Sequence, residues 1–280
     1  MHLRLASTTL DLAKPAVMGV LNVTPDSFSD GGRFLGLDEA LRQAERMAAD
    51  GAAILDIGGE STRPGAAAVP AREEIDRTLP VIEALVTRLD LPLSIDTRTP
   101  EVMRAAAGAG AALVNDVYAL RRAGALEAAA GLDTAVCLMH MQGEPRTMQE
   151  NPRYADVVGE VHAFLAGRVR ACEEAGIARE RLLIDPGFGF GKTLAHNLEL
   201  LANLDRLADL GLPLLVGLSR KRSLGDLTGR PVGERMPAGL AAAVLAAARG
   251  AHIVRTHDVR ETVDALKVAT AVLERRRGEA

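Results

Sequence analysis

The sequence is poor in aromatic residues, cysteine and lysine. It contains no Trp, two Tyr and five Phe, and lysine occurs only at positions 14, 192, 221 and 267. The two cysteines, Cys137 and Cys172, have neither the spacing of a metal site nor the number of a disulfide framework. Such sparing use of cysteine is typical of a protein from a reducing compartment.

Long hydrophobic runs and a strong net charge are also missing. The longest apolar run, at residues 240–248, is about half the length of a membrane span. The first 14 residues contain Arg, Thr and Asp where a signal peptide has an unbroken apolar core. Lys and Arg number 33 against 37 Asp and Glu, and the net charge of −4 has the wrong sign for a nucleic-acid-binding protein. We therefore expect a cytoplasmic protein that binds neither membranes nor nucleic acids.

The remaining composition is that of an ordinary globular protein. Hydrophobic residues make up 48% and charged residues 25% of the 280 residues. No long linker interrupts the chain, and the charge balance does not change between its halves. We therefore predict a single domain over residues 1–280.

Eight short apolar runs recur along the chain, each followed by a segment with helical periodicity. They lie at residues 16–23, 53–58, 92–97, 112–117, 135–140, 182–186, 213–219 and 252–258. Their repeat of about 33 residues is the length of one βα unit. Eight units favour a closed (β/α)8 TIM barrel over an open doubly wound sheet, which would also carry a glycine-rich phosphate turn after its first strand. The alternating residues before position 14 predict a short β-hairpin that closes the bottom of the barrel.

Polar residues stand at the end of every apolar run. They are Asn22, residues 60–63, Asp96, residues 115–116, His140, Asp185, residues 219–221, Arg255 and His257. Asn, Asp, Ser and Thr at such positions can be simple helix caps. Caps do not require Lys, Arg or His, nor an Asp inside an apolar strand such as Asp96 or Asp185. The set predicts a polar pocket at the carboxyl ends of the strands, where barrels of this kind carry their chemistry.

The chemistry of this pocket can be inferred from its groups. The carboxylates and amide of Asp96, Asn115 and Asp185 suit a flat heterocycle with several N–H donors, such as the 2-amino-4-oxo edge of a guanine or a pterin. Four further residues offer positive charge to an anionic group such as phosphate: Arg63, Lys221, Arg255 and His257. We expect a ring at one end of the pocket and phosphates at the other.

The glycine-rich segment 187–193, GFGFGKT, is not a phosphate-binding P-loop, because Pro186 stands where that motif requires glycine. Its glycines allow Phe188 and Phe190 to project from a tight loop. Phe28 and Phe190 both lie in polar, glycine-rich segments. Aromatic rings there either stack on a ligand or plug the mouth of the barrel.

His140 can be a metal ligand, a catalytic base or a structural histidine. No second His follows within four residues, which favours the structural interpretation. The neighbouring Met139 is expected to line the core or the pocket.

Eight segments carry a resemblance to a known family. They are MGVLNVTPDSFSDGG (18–32), DIGGESTRPGA (56–66), SIDT (94–97), NDV (115–117), MHMQGEPRTMQ (139–149), DPGFGFGKT (185–193), GLSRKR (217–222) and RTHDVRET (255–262). In this order they resemble the dihydropteroate synthase family over residues 14–265. Ser223 and Thr256 depart from the usual pattern, at positions that do not carry the reaction.

The resemblance implies an alkyl transfer in folate synthesis. The family joins 7,8-dihydropterin-6-ylmethyl diphosphate to 4-aminobenzoate, forming 7,8-dihydropteroate and pyrophosphate. It also implies Mg²⁺ as the cofactor, with Asn22 as its ligand, and a homodimer. The small apolar residues of the helix predicted around residues 237–250 leave little surface that needs water, which suits a dimer interface and equally suits a helix packed flat against the barrel.

The resemblance also assigns roles to individual residues. Pterin would contact Asp96, Asn115, Met139, Asp185, Lys221 and Arg255. The diphosphate would contact Asn22, Thr62, Arg63, Arg255 and His257. Aminobenzoate would contact Phe28, Thr62, Arg63, Pro64, Phe190 and Ser219. The residues implied in catalysis are Asp30, Asp185, Lys221 and Arg255.

Two other functions fit parts of this pattern. A methyltetrahydrofolate-corrinoid methyltransferase on the same barrel would share the ring recognition, but it has no use for a diphosphate site and lacks the 25–32 and 61–65 segments. A paralogue that binds pterin without catalysis would have lost an Asp or Lys from the site, and none is missing.

Overall fold

The computed structural model describes residues 1–23, 32–61, 69–144 and 147–277, with only the backbone described for 32–35 and 276–277. Ten strands occur in these ranges. They are β1 (His2–Leu5), β2 (Thr8–Asp11), β3 (Ala16–Asn22), β4 (Ile54–Gly58), β5 (Leu93–Asp96), β6 (Leu113–Asp116), β7 (Ala135–Met139), β8 (Leu182–Asp185), β9 (Leu215–Gly217) and β10 (Ile253–Thr256). The last eight lie within two residues of the predicted apolar runs.

Helices separate consecutive strands from β3 onward. They are α1 (Gly32–Ala49), α2 (Ala71–Val86), α3 (Pro100–Gly108), α4 (Ala125–Ala130), α5 (Val157–Glu174), α6 (Leu194–Ala202), α7 (Arg222–Thr228), α8 (Met236–Ala248) and α9 (Val259–Arg277). The expected one helix per strand holds except between β9 and β10, where both α7 and α8 occur.

The eight parallel strands close into a barrel. Their order is β8-β7-β6-β5-β4-β3-β10-β9. The two edges, β8 and β9, meet through a parallel bridge between Ile184 and Leu214, and the Ile184 N–H donates to the Pro213 carbonyl at 3.0 Å. The predicted TIM barrel is therefore confirmed, and all eight strands present their carboxyl ends at one mouth.

The N-terminal hairpin lies at the opposite end, as predicted. β1 and β2 pair antiparallel, and Leu3 and Leu5 are fully buried. They pack in one cluster with the first inward-facing residues of the barrel strands, including Met18, Ile54 and Leu113. This apolar cluster seals the amino ends of the strands.

The helices form the outer layer by burying apolar side chains against the barrel. In α2, Val81, Ile82 and Leu85 are buried against the barrel. The start of α5 is fixed by Asp156, whose side chain accepts a hydrogen bond from the Gly159 N–H. Within the described ranges, no helix combines the length and apolar character needed to cross a membrane.

Candidate active site

Four strand ends are connected by one buried hydrogen-bond network. The fully buried carboxylate of Asp56 on β4 accepts from Arg255 Nε at 2.6 Å, from Asn115 Nδ2 at 2.9 Å and from Ser94 Oγ at 2.6 Å. Arg255 also donates from Nη2 to Asp96 Oδ2 at 2.8 Å. The network fixes the orientation of the predicted site residues Asn115, Asp96 and Arg255 before any ligand binds.

Asp96 retains an unused acceptor. Its Oδ1 is buried and has no hydrogen-bond partner among the described residues. Burial raises the pKa of Asp96, and the nearby Arg255 opposes that rise. An unsatisfied buried acceptor costs about 1–3 kcal/mol, so a ligand N–H at this point would be bound strongly.

Asp185 and Lys221 form the other side of the pocket. Asp185 Oδ1 accepts from the Gly187 N–H at 2.7 Å, and burial raises the pKa of this carboxyl to about 6. Desolvation, reinforced by Arg255, lowers the pKa of Lys221 to about 8, while Asp185 and Asp96 oppose the decrease. The lysine thus lies within electrostatic reach of both carboxylates and of the arginine.

The rim of the pocket holds Ser219 and His257. Ser219 Oγ lies 3.0 Å from His257 Nδ1. Burial, together with Arg255 and Arg220, lowers the pKa of His257 to about 4. The imidazole is therefore neutral at pH 7, which corrects the expectation that His257 supplies positive charge. It can still donate a hydrogen bond to an anion.

An apolar surface borders the polar groups. Met139 and Phe190 are buried in a cluster with Val117, Met141 and Met148. Phe190 also lies beneath Lys221, whose Nζ is 4.3 Å from the ring centroid. Met139 and Phe190 thus lie at the mouth of the barrel. Phe188, by contrast, belongs to the main core and is 1% exposed.

The GFGFG segment forms a tight turn after β8. Gly187, Gly189 and Gly191 have φ of +68°, +79° and +60°, where side chains are disfavoured. A Cβ on Gly187 would lie 1.9 Å from the His140 carbonyl oxygen. Glycine is therefore required here by close backbone approach. Of the two rings expected to project from the loop, Phe190 lies at the mouth, whereas Phe188 packs into the core.

His140 is structural, as favoured by the sequence. It is buried, and its Nδ1 lies 2.9 Å from Lys192 Nζ. Burial and Lys192 lower its pKa to about 2, which removes it as a base at neutral pH. No group of three or more His, Cys, Asp or Glu side chains suited to a metal occurs in the part of the chain that the structure describes.

Asn22 ends β3 on the same face as Asp96. A Cβ built on Gly58, which lies between them, would be 3.6 Å from both Asn22 Oδ1 and Asp96 Cβ. Glycine at this position keeps the amide oxygen of Asn22 close to the pocket.

The comparison with protein families decides which family this arrangement belongs to. Residues 18–257 match the model described as pterin binding enzyme. The chain belongs to the pterin binding enzyme family. The matched residues include the strand ends that carry Asp96, Asn115 and Asp185.

Full-length relatives narrow the function within the pterin binding enzymes. Dihydropteroate synthase of Escherichia coli K12 is 54% identical over 273 residues, covering 98% of this chain and 97% of that protein. The Xanthomonas albilineans enzyme, solved with 4-aminobenzoic acid, has 56% identity and a TM-score of 0.92, covering 98% and 99% of the two chains. The Yersinia pestis enzyme, solved in a sulfonamide drug complex, has 53% identity and a TM-score of 0.94, covering 98% and 100%. The predicted function, a transferase making dihydropteroate in folate synthesis, is confirmed.

Five of the predicted site residues lie outside the described residues: Phe28, Asp30, Thr62, Arg63 and Pro64. Their roles stay predictions. The described ones converge on the mouth of this pterin binding enzyme.

Asp56 is the site residue that sequence reasoning missed. It stands in an apolar strand, ILDIG, as Asp96 and Asp185 do in theirs. That pattern identified the other two carboxylates. Only the structure shows that Asp56 accepts from residues on three other strands.

Proposed function

We propose that the mouth of the barrel binds 7,8-dihydropterin-6-ylmethyl diphosphate and 4-aminobenzoate and joins them to 7,8-dihydropteroate, releasing pyrophosphate. The observation that supports this most strongly is the pair of buried carboxylates, Asp96 and Asp185, with Lys221 and Arg255 beside them. One carboxylate has an orphaned acceptor, and both have raised pKa values.

The pterin ring would occupy the space between these carboxylates. Asp185 would accept from a ring N–H and the exocyclic amine together, and Asp96 Oδ1 would accept another N–H. Asn115, already oriented by Asp56, would contact a further ring heteroatom. Lys221 would donate to a ring acceptor. Two residues complete the pterin contacts by packing: Met139 and Arg255.

The reaction needs little acid–base chemistry. The aniline nitrogen of aminobenzoate is neutral near pH 7, so it can attack the pterin methylene carbon without prior deprotonation. The C–O bond to the diphosphate breaks and its electron pair leaves with pyrophosphate, while the newly bonded nitrogen gives up its extra proton to the departing pyrophosphate or to solvent. Positive charge near the leaving group stabilises this step. We infer that Arg255 and Arg63 supply it, with Asn22, Thr62 and the neutral His257 donating hydrogen bonds.

Aminobenzoate would bind above the pterin at the rim. Phe190 offers an apolar face and Ser219 a polar rim group, while residues 62–64 and Phe28 would complete this subsite. Asp30 would lie near the developing positive charge on the methylene carbon. A sulfonamide drug, like the one in the Yersinia pestis complex, would compete for the same position.

Mg²⁺ is proposed as the cofactor. It prefers oxygen ligands, keeps several waters and commonly binds through few protein groups plus substrate phosphates. Asn22 Oδ1, beside the pocket, fits that pattern, and the described residues provide no competing acidic cluster. Bound there, the ion would neutralise charge on the diphosphate.

The decisive experiment compares two assays on the purified protein. We expect aminobenzoate-dependent pyrophosphate release and dihydropteroate formation from the pterin diphosphate with Mg²⁺. Methyl transfer from methyltetrahydrofolate to a corrinoid should be undetectable. Methyl transfer without pyrophosphate release would instead establish the alternative enzyme, and pterin binding without either reaction would indicate a non-catalytic paralogue.

We also propose that the protein is a cytoplasmic homodimer. Several large apolar side chains are exposed on the outer helices after β9, and a dimer interface would remove them from water. They include Leu227, Met236 and Leu245, with exposures of 52%, 37% and 55%. Light scattering should give twice the 29.5 kDa chain mass, and Leu245→Lys should shift it toward the monomer. A monomer at micromolar concentration would refute the dimer.

A further inference from the structure

Lys192 is a buried cation that forms no ion pair among the described residues. Its side chain is 3% exposed in a chain with few lysines. Nζ donates to the Gly187 carbonyl at 2.9 Å and to the Phe190 carbonyl at 3.1 Å, and it lies 2.9 Å from His140 Nδ1. An ammonium has three N–H groups, and three neutral acceptors use them all.

The two carbonyls belong to the turn that carries two predicted ligand contacts. The Gly187 N–H holds Asp185 Oδ1 at 2.7 Å, on the pterin side. Phe190 lies under Lys221, on the aminobenzoate side. By bonding Gly187 and Phe190 together, Lys192 fixes the separation between the carboxylate and the aromatic ring.

Several other hydrogen bonds hold the turn, among them one from Gln149 Nε2 to the Gly189 carbonyl. Within it, one backbone hydrogen bond links the Phe190 N–H to the Gly187 carbonyl at 3.1 Å. Asn197 accepts from the Gly189 N–H at 2.8 Å, and the Tyr154 hydroxyl donates to the Gly191 carbonyl at 2.8 Å. Among the hydrogen bonds of the described residues, Lys192 alone provides a side chain that bonds both Gly187 and Phe190.

Burial of an ammonium group costs desolvation free energy, so it contributes little to the stability of a fold. Burial lowers the pKa of Lys192 to about 7, with Lys221 adding to the decrease and Asp185 opposing it. Even a buried ion pair can often be replaced by apolar groups of similar size without loss of stability, so a buried charge is weak evidence for a role in stability. The retained charge is better explained by placement of the turn than by the stability of the barrel.

We propose that Lys192 is a positioning residue, which acts through the Gly187 and Phe190 carbonyls to hold Asp185 and Phe190 at the spacing that pterin and aminobenzoate require. His140 is its second anchor, since it ties the same Nζ to the end of β7. This role rests on the function proposed above for the mouth.

The test is Lys192→Met, which keeps the apolar stem and removes all three donors. We expect the dissociation constants of a pterin and of aminobenzoate with pyrophosphate, measured by titration calorimetry, each to rise about tenfold. KM should rise for both substrates while kcat changes less.

Arg181 provides a matched control. It is 6% exposed and donates to backbone carbonyls, including that of Thr134 at 2.8 Å, but it lies at the amino end of β8. Arg181→Met should lower the thermal midpoint without changing either dissociation constant. Equal changes in affinity for the two variants at similar stability would show that Lys192 is only structural.

His140→Phe decides the question if Lys192→Met does not fold. The ring still packs against Phe164, whose centroid is 4.9 Å away, while the Nδ1 acceptor is lost. We expect pterin and aminobenzoate to bind about threefold more weakly, the cost of one weak hydrogen bond. Unchanged affinities would overturn the proposal. Wild-type protein that makes no dihydropteroate would instead overturn the proposed function.

Discussion

The two ends of the barrel are built from the same eight strands but have opposite interiors. At the amino end, Leu3 and Leu5 of the hairpin fill the opening and pack on Met18 and Ile54. At the carboxyl end, side chains from four strands form a network around the carboxylate of Asp56. The amino end therefore buries apolar surface, whereas the carboxyl end buries charged groups.

This difference separates the side chains that stabilise the fold from those proposed to bind the ligand. The carboxyl end tolerates features that cost stability: the orphaned Asp96 Oδ1, the raised pKa of Asp185 and the lowered pKa of Lys221. The side chains that fill the amino end, such as Leu3, Leu5, Met18 and Ile54, carry no charge to desolvate. Substitutions at the two ends should therefore have different consequences, and four predictions test that division.

The largest effect is expected for Asp185→Ala. Loss of this carboxylate leaves two pterin N–H groups unpaired at about 1–3 kcal/mol each, so pterin affinity should fall about 100-fold or more. Titration calorimetry measures the loss, and circular dichroism should show an intact fold. Asp116 is the control, because it is buried too but accepts from the backbone of Tyr118 and Leu120. Asp116→Ala should lower stability and leave pterin affinity within about threefold; unchanged pterin binding in Asp185→Ala would refute the ring assignment.

Leu5→Ala should produce the opposite pattern at the other end. The side chain is fully buried, and deleting such a leucine typically costs about 2–5 kcal/mol of unfolding free energy. Chemical denaturation measures the loss. KM for both substrates should be unchanged at a temperature where the variant is folded. A raised KM would show that the two ends are not independent.

A smaller effect, a decrease of about 10- to 100-fold in kcat/KM, is expected for Lys221→Ala, because a charged hydrogen-bond donor is lost. The thermal midpoint should change little or rise, since the lysine is desolvated at the mouth. Lys267→Ala removes an exposed lysine from α9 and serves as the control. Near-wild-type turnover of Lys221→Ala would show that Lys221 is not part of the site.

The smallest effect concerns pH. Burial raises the pKa of Asp185 to about 6, and the ionised form is the better acceptor for the pterin. Pterin affinity should therefore fall about tenfold between pH 7 and pH 5, as protonation competes with the ligand. Calorimetry across this range measures it, with Asp185→Asn as the control, because this variant should lose the part of the pH dependence that comes from Asp185 and keep only that of Asp96. A flat profile for the wild type would contradict the raised pKa.

The same carboxyl affects stability in the reverse sense. A folded-state pKa above the unfolded value means that the ligand-free protein binds more protons than the unfolded chain between about pH 4 and pH 6. The contribution of Asp185 to stability is therefore full below this window and lost above it. Ligand binding and stability should thus respond to pH in opposite directions.

The sequence predicted the barrel well because its strands are buried on both faces. Continuous apolar runs such as 135–139 mark such strands without a competing helical period. Of the two helices between β9 and β10, α8 was predicted at residues 237–250, whereas α7 was not anticipated, because its seven residues are too few to show a helical period. Strand ends were predictable, and so was the position of Asp96, Asp185 and Lys221 at the mouth.

The hydrogen-bond partners of the site residues were not predictable, because they depend on contacts between residues far apart in the chain. Asp56 and Arg255 are separated by 199 positions, and Lys192 and His140 by 52. The sequence identified the glycine turn and the histidine separately, yet nothing in either segment indicates that one lysine joins them. The neutral state of His257 likewise follows from burial and the neighbouring Arg255.

A single turnover, with enzyme in excess over the pterin diphosphate, tests most directly whether the carboxyl end joins a pterin to aminobenzoate. Rapid quenching and mass spectrometry would measure dihydropteroate and pyrophosphate. The wild type and Leu5→Ala should form both in equal amounts, and Asp185→Ala should form neither at a comparable rate. Dihydropteroate formation that survives Asp185→Ala, or its absence from the wild type, would contradict a reaction at this end of the barrel.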